Sequence, residues 1–345
     1  MIKKMILEAK NIQPSRAGFE VAGIFNPAVI RRGKEIIMLA RVAESVVQND
    51  PEHFLVPVAS ATGTIDIVRL PKNDPAYDYS DKRIIRNCQH TYLTSISHLR
   101  VARSTDGEHF VFDPDGIILP GGIYERFGIE DPRITQLGST YYVTFTAVSE
   151  CGINVGLMAT KDFHRFRRLG NILHSDNKDC VIFPQKIGGK YVALHRPSTS
   201  EFGKLDIWTA ESPDLISWGN HKIMTSARIN YLPCSRVGAG AVPIATAKGW
   251  LVVYHSADAS SRYHLTAMLL DKDDPNIVLM HSKHPLIEPT EFYEKKGFVD
   301  QVVFTCGLIA DTDALHVYYG VCDENIAVCT IPMDDVWHNM EAIER

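Results

Sequence analysis

DPRITQLGSTYYVTFTAV, from Asp131 to Val148, and GLMATKDFHRF, from Gly156 to Phe166, together decide the fold. The first is two runs rich in β-branched and aromatic residues, hinged at Gly138. The second alternates apolar and polar positions and carries a Thr-Lys-Asp phrase at Thr160 to Asp162. Two strand-like runs around a glycine read as a hairpin, because glycine supplies the backbone that a tight turn needs.

The same pattern recurs outward in both directions. Upstream stands NPAVIRRGKEIIMLARV (Asn26 to Val42), completed after a long insert between Arg41 and His98 by HLRVARSTDGEHF (His98 to Phe110). Downstream come VIFPQKIGGKYVALHRP (Val181 to Pro197) with DIWTAESPDLISW (Asp206 to Trp218), then GAGAVPIATAKGWLVVYHSA (Gly238 to Ala257) with YHLTAMLLDKDDP (Tyr263 to Pro275). The last copy is QVVFTCGLIADTDALHVYYG (Gln301 to Gly320) with NIAVCTIP (Asn325 to Pro332). A repeated four-stranded antiparallel unit of this length predicts propeller blades. The expectation is therefore an all-β, five-bladed β-propeller with a central active-site funnel, forming one catalytic domain over residues 1–345. A two-sheet β-sandwich with an irregular repeat is the competing architecture.

Composition narrows the function. The chain has 345 residues, of which 45% are hydrophobic, enough for a large core. A formal net charge of −5 without a basic stripe argues against nucleic acid. The seven cysteines are scattered and show no CxxC spacing, so they predict buried small hydrophobes in a reducing compartment rather than disulfides or a zinc site. The N-terminal MIKKMILEAK is too short in its apolar run for a signal peptide, and no run approaches a membrane span. A cytoplasmic protein without cofactor or metal is expected, since no His/Asp/Glu spacing resembles a ligand set.

Chemistry is expected where polar residues interrupt core-like strands. The sharpest place is FGIEDPRIT, from Phe127 to Thr135. If a strand begins at Glu130 and Asp131, their side chains point to opposite faces and at most one enters the funnel. Pro132 removes a ladder donor and suits a strand start at a rim. Asp131 has the makings of a general acid tuned by burial and by Arg133, while an Asp-Pro-Arg turn with a structural ion pair is the plainer reading.

Four more positions end or flank apolar runs in different repeats: Arg41, Lys178, Arg196 and His255. Cations converging on one pocket repel unless an anion sits among them, and arginine binds phosphate oxygens bidentately. Inorganic phosphate or a carboxylate is thus the expected ligand. A sugar-holding set comprises Asn26, Arg133, Asp300 and Asp323, with Tyr124, Trp208, Tyr254, Tyr318 and Tyr319 as aromatic candidates. Tyr318 and Tyr319 are expected to be strand residues packing between blades rather than sugar contacts.

FNPAV, LARVAE, HLRVARSTDG, YERFGIEDPRIT, NKDCVIFPQKIGGKYVALHRPS, IWTAESPDLISWG, RVGAGAVPI, YHSAD, VVFTCG and YYGVCDE, in this order, resemble the signatures of glycoside hydrolase family 130. The resemblance runs from about Phe19 to Asp323. It implies a five-bladed propeller and, for most members, inverting phosphorolysis of β-mannosides, with some hydrolases. It also implies that Asp131 is the general acid, delivering its proton through the mannose 3-hydroxyl. Phosphate as co-substrate would attack C1 from the opposite face and give α-mannose 1-phosphate. Arg41, Lys178, Arg196 and His255 correspond to the family's phosphate-facing positions, and Asn26 and Asp323 to residues that hold the transferred mannose.

Within the family a β-1,2-linked mannobiose or oligomannan is the favoured substrate, with β-1,4-mannosyl-N-acetylglucosamine as the alternative. Departures at Gln301, Ser256, AVPI and NYLPCS bear on the acceptor sugar. A hydrolase would need a carboxylate base, for which Glu44, Glu130 and Glu201 are the candidates, and a non-catalytic sugar-binding propeller would have no use for the cations. The N-terminal stretch and the insert from Glu44 to Ser97 either pack on a neighbouring subunit, making a homo-oligomer, or form solvent-exposed loops.

Overall fold

Three Ser/Thr-x-Asp phrases, at Ser104, Thr160 and Ser212, fold into the same turn. Ser104, Thr160 and Ser212 each accept, through the hydroxyl, the backbone N–H three residues on, at 2.9 Å in every case. Asp106, Asp162 and Asp214 then accept the following pair of N–H groups. The residue after each aspartate, Gly107, Phe163 or Leu215, has positive φ. Short polar side chains thus replace backbone partners where the chain reverses.

In the computed structural model, which describes residues 1–198, 202–224 and 235–343, each of these turns joins the third strand of an antiparallel meander to the fourth. Phe19–Arg32, Glu35–Val46, Ser95–Ser104 and Val111–Ile118 form one meander; Gly128–Leu137, Thr140–Ser149, Gly152–Thr160 and Arg167–Leu173 form the next. A single parallel pair, Gly128 opposite Ser97, joins them into an eight-stranded sheet. The chain approaches so closely there that a Cβ on Gly128 would lie 2.7 Å from the Ser97 nitrogen. Asn177–Ile182, Tyr191–Pro197, Trp208–Ser212 and Gly219–Ile223 make a four-stranded sheet. The next sheet is built on Arg236–Ala239, Gly249–Ala257, Tyr263–Leu270 and Val278–Ser282. The last comprises Val303–Ala310, Ala314–Val321 and Asn325–Pro332, and its outer strand is the N-terminal Ile2–Glu8.

Apolar side chains fill every seam in succession. Leu39 and Leu99 meet Ile129 and Val143; Val155 and Leu157 meet Ile182 and Ala193; Val181 and Leu194 meet Trp250 and Val252; Leu251 and Leu265 meet Val303 and Val317. The last sheet then packs on the first through Ile326, Val328, Ile24 and Met38. Full burial of such side chains contributes about 1.5–3 kcal/mol each. Lys3 fastens the N-terminal strand by an ion pair at 2.8 Å to fully buried Glu294, which also accepts from the Tyr319 hydroxyl at 2.8 Å.

The insert is neither loop nor tail. It forms a hairpin, His53–Ala59 with Ile65–Pro71, and a three-stranded sheet, Asp78–Asp81, Ile84–Arg86 and Thr91–Leu93, around Val56, Leu70 and Ile85. Cysteine burial is also less uniform than expected: Cys180, Cys306, Cys322 and Cys329 are buried, but Cys88 and Cys151 are exposed, and Cys234 lies outside the described residues. Among the described residues no helix is long and apolar enough to cross a membrane, and no group of three or more His, Cys, Asp or Glu is arranged to hold a metal.

Candidate active site

One bulge, repeated, builds the site. In the first strands of three successive meanders the register slips between Phe25 and Ala28, between Glu130 and Arg133, and between Lys178 and Val181. The residues opening these bulges are Asn26, Asp131 and Asp179, with φ of 49°, 47° and 54°. Left-handed backbone is costly for most side chains and least so for Asn and Asp. Bulges re-aim side chains, and here they turn three polar groups inward from strands that otherwise feed the core.

This geometry overturns the expected alternation of Glu130 and Asp131. The strand begins at Gly128, so Pro132 sits inside the bulge rather than at a strand start. Both carboxylates reach the same guanidinium: Arg41 donates to Asp131 Oδ1 at 2.9 Å and to Glu130 Oε1 at 2.7 Å. Asn26 Nδ2 donates to the same Asp131 oxygen at 2.8 Å. Arg41 also lies 4.5 Å from the Phe25 ring centroid, in cation–π geometry. Asp131 is buried, which on its own would raise its proton affinity, but Arg41, Lys178, Arg133 and the Asn26 amide outweigh burial and hold the carboxyl below its usual range.

Arg133 does not pair with the Asp131 carboxylate. Its guanidinium donates to the Asp131 backbone carbonyl at 3.0 Å, to the Ala239 and Gly240 carbonyls, and to Asp179 Oδ1 at 3.2 Å. Asp179 is the hub of the inner layer: Arg196 lies 3.3 Å and His255 3.5 Å from its other oxygen. Although Asp179 is fully buried, Arg196, Lys178 and Arg133 hold its carboxyl far below the ordinary range. Burial pushes His255 down to about 3, against the pull of Asp179, so it stands here as a neutral imidazole rather than as a fourth cation. Gly238 makes the hub possible, since a Cβ there would meet both Asp179 Oδ2 and His255 at 2.5 Å.

Asn26, Arg41, Glu130, Asp131, Lys178 and Asp323 line one funnel of about 830 Å³. Asp323, at φ 57°, has its carboxyl pushed up to about 6, chiefly by burial and further by the charges of Asp131 and Glu130, against Arg41. Arg133, Arg196 and His255 form the layer around Asp179. Tyr124 and Asp300 are absent from the funnel's lining: Tyr124 is 45% exposed in a loop, and Asp300 pairs with Lys296 at the surface. Tyr254, Tyr318 and Tyr319 are buried in the seams, while Trp208 lines a separate cleft. Of the carboxylates considered as a hydrolytic base, Glu130 faces the funnel but is held by Arg41. Glu44 is spent on Arg100 at 2.7 Å and on Ser15. Glu201 and residues 230–234 of NYLPCS lie outside the described residues.

Sequence reasoning missed Asp179, Arg236, Tyr263 and the insert's Lys82 and Arg83. Arg236 Nε donates to the Tyr263 hydroxyl at 2.7 Å, and both line the funnel with Lys82 and Arg83. Asp179 had a signal: Asp-Cys stands where Asn-Pro and Asp-Pro open the bulges of the two preceding meanders. The others sit in segments whose approach to the axis is set only by packing.

Residues 82–342 match the family model for glycoside hydrolase family 130, described as β-1,4-mannooligosaccharide phosphorylase. The chain is 46% identical over 336 residues to a β-1,2-mannobiose phosphorylase of Listeria innocua, covering 96% of this chain and 95% of that one. It is 38% identical over 248 residues to a 1,2-β-oligomannan phosphorylase of a Thermoanaerobacter species, covering 71% and 82%. The solved structure of the Listeria innocua enzyme in complex with β-1,2-mannobiose superimposes with a TM-score of 0.91 at 45% identity, over 97% of this chain and 96% of that one.

Proposed function

The chain belongs to glycoside hydrolase family 130, and from that premise we propose that it is an inverting phosphorylase of β-1,2-linked mannosides, converting mannobiose or oligomannan and inorganic phosphate to α-mannose 1-phosphate and a shortened acceptor. The observation that carries the reading is the meeting of one buried carboxylic acid with a layer of cations. Asp131 faces the funnel with Arg41 and Lys178, and in the layer around Asp179 Arg196, ion-paired through Nη1 at 3.3 Å, keeps a buried Nε with no hydrogen-bond partner among the described residues. A buried donor left unpaired calls for an acceptor, and a phosphate dianion supplies several.

In this reading Asn26 and Asp323 hold the mannose to be transferred, with Arg133 fixing the bulge from beneath. Lys178, Arg41 and Arg196 hold phosphate in line with C1, assisted by the imidazole of His255. A phosphate oxygen attacks C1 as the glycosidic C–O bond breaks, and Asp131 gives its proton to the departing oxygen by way of the mannose 3-hydroxyl. The nucleophile arrives anionic, so no second carboxylate is needed as a base. Phosphate also explains how Asp131 comes to be protonated: its charge offsets the cations that otherwise keep the carboxyl ionised.

The finer architecture belongs to the same proposal. The meanders are the blades of a five-bladed propeller making a single domain, supported by the cyclic order of the apolar seams and by the funnel within them. The test is incubation of the purified protein with β-1,2-mannobiose, with and without phosphate, following mannose 1-phosphate and its anomeric form. Phosphate-dependent release of the α-anomer is expected. Equal release of free mannose without phosphate would make it a hydrolase.

A further inference from the structure

Trp208 stands away from the funnel in a second cleft of about 490 Å³, within the size range of small-molecule sites. The cleft opens where the outer strand of the second meander, Arg167–Leu173, meets the following sheet, and Trp208 shares it with Trp218, Asn177, His195, Ser217 and His221. Among the described residues no Asp, Glu, Lys or Arg lines it. The Trp218 indole N–H already donates to the Leu215 carbonyl at 2.9 Å, so the ring rather than its polar edge serves the cleft. His195, opposite Trp208 in the ladder, is buried and sits in a relay: its Nδ1 meets Asn177 Oδ1 at 3.1 Å, and its Nε2 meets His221 Nδ1 at 3.0 Å.

The relay fixes what its ends offer. Asn177 Oδ1 only accepts, so with both rings neutral His195 Nδ1 carries the proton and His195 Nε2 accepts from His221 Nδ1. The ends left over are the Asn177 NH₂, a donor, and His221 Nε2, an acceptor. Turning the amide over reverses every role and again leaves one donor and one acceptor. Burial, with His221 alongside, pushes His195 down to about 3 and keeps the middle of the relay uncharged. An uncharged donor and an uncharged acceptor at one cleft suit hydroxyls, which do both, whereas a carboxylate only accepts and an ammonium only donates. Aromatic faces take the C–H surface of a sugar ring. We propose that this cleft is a second carbohydrate site, which holds a neutral manno-oligosaccharide by ring face and hydroxyls apart from the funnel. The choice of a mannoside rests on the phosphorolysis proposed above; the neutral-sugar chemistry stands without it.

Tryptophan emission reads the cleft and not the funnel, because among the described residues no tryptophan lines the funnel, Trp250 is buried in a seam and Trp337 packs under Lys248. The experiment titrates wild type, His221→Ala and Asn177→Ala with β-1,2-mannobiose at pH 8 in phosphate-free buffer, with glucuronate as a charged control, and measures mannose 1-phosphate release separately with phosphate present. Wild type is expected to show a saturable emission change with mannobiose and none with glucuronate. Each variant removes one end of the relay and is expected to raise the apparent Kd about three- to tenfold, the factor for loss of one neutral hydrogen bond. In His221→Ala the kcat and KM of phosphorolysis should match wild type. No saturable change in wild type, an equal response to glucuronate, or a Kd unmoved in both variants overturns the inference and leaves phosphorolysis standing. Absence of mannose 1-phosphate release overturns the phosphorylase reading and the choice of mannoside, while a saturable emission change weakened in the variants still supports the neutral-sugar site.

Discussion

Arg41 grips Asp131 and Glu130 at once, at 2.9 Å and 2.7 Å, although the two carboxylates are neighbours in a strand and would ordinarily face opposite ways. The grip is a product of the bulge at Asp131 and Pro132. It also favours the ionised form of the proposed acid, since Arg41 is the first of the charges holding its proton affinity down.

Replacement of that acid is the most direct test. Asp131→Asn keeps an oxygen for Arg41 and Asn26 but has no proton to give. Turnover is expected to fall by about 10²–10⁴, the range for loss of a general acid, with thermal stability close to wild type. Near-normal kcat would dismiss Asp131 from the role.

Phosphate should bring a proton with it. The cations that depress Asp131 are the ones phosphate would neutralise, so binding raises its proton affinity and draws up to one proton from solvent. Calorimetric titration with phosphate in two buffers of different ionisation enthalpy measures the uptake directly. It should be clear in wild type and missing in Asp131→Asn; equal uptake by both proteins would locate the proton elsewhere.

Arg196→Ala separates the two substrates. A charge-assisted hydrogen bond contributes about 1.5–3 kcal/mol, so KM for phosphate is expected to rise about 10- to 100-fold. KM for the mannoside should stay within about threefold. Unchanged saturation by phosphate would require another account of the buried guanidinium.

Asp179→Asn tests the hub. Removing one charge from a buried ionic cluster typically costs about 3–5 kcal/mol, because the remaining charges stay buried. The urea midpoint should drop accordingly at pH 7. Asp179 is depressed in the folded state, so its contribution is present above the ordinary carboxylate pKa and lost as pH falls below it. The gap between variant and wild type should therefore narrow toward pH 4 and below; a gap independent of pH would point to shape rather than charge.

Asp323 has the opposite sign. Its carboxyl is raised to about 6, so the folded protein binds a proton that the unfolded chain has released, and stability declines as pH rises from about 4 to about 6. Asp323→Asn removes the ionised group and is expected to stabilise the protein at pH 8 by on the order of 1–2 kcal/mol, with the gain fading by pH 4. Melting curves at both pH values decide it, and a variant less stable at pH 8 than wild type would refute the assignment.

The five quoted repeats and their turn phrases determined the strands and their antiparallel pairing, because hairpin chemistry and alternation act between neighbours in the chain. FGIEDPRIT and the strand-end cations likewise singled out Asp131, Arg41 and Lys178, which line the funnel. What the sequence did not determine was direction and partnership. Alternation predicted one inward carboxylate, whereas the bulge turned both toward Arg41. Arg133 looked like the partner of Asp131, whereas seams between sheets brought it to Asp179, forty-six positions away. Burial made His255 neutral and Asp323 reluctant to ionise, and no local pattern reports burial. The insert's Lys82 met Phe298 across 216 positions. Contacts of that separation depend on how whole sheets pack, a non-local result that periodicity cannot encode and that only the tertiary structure decides.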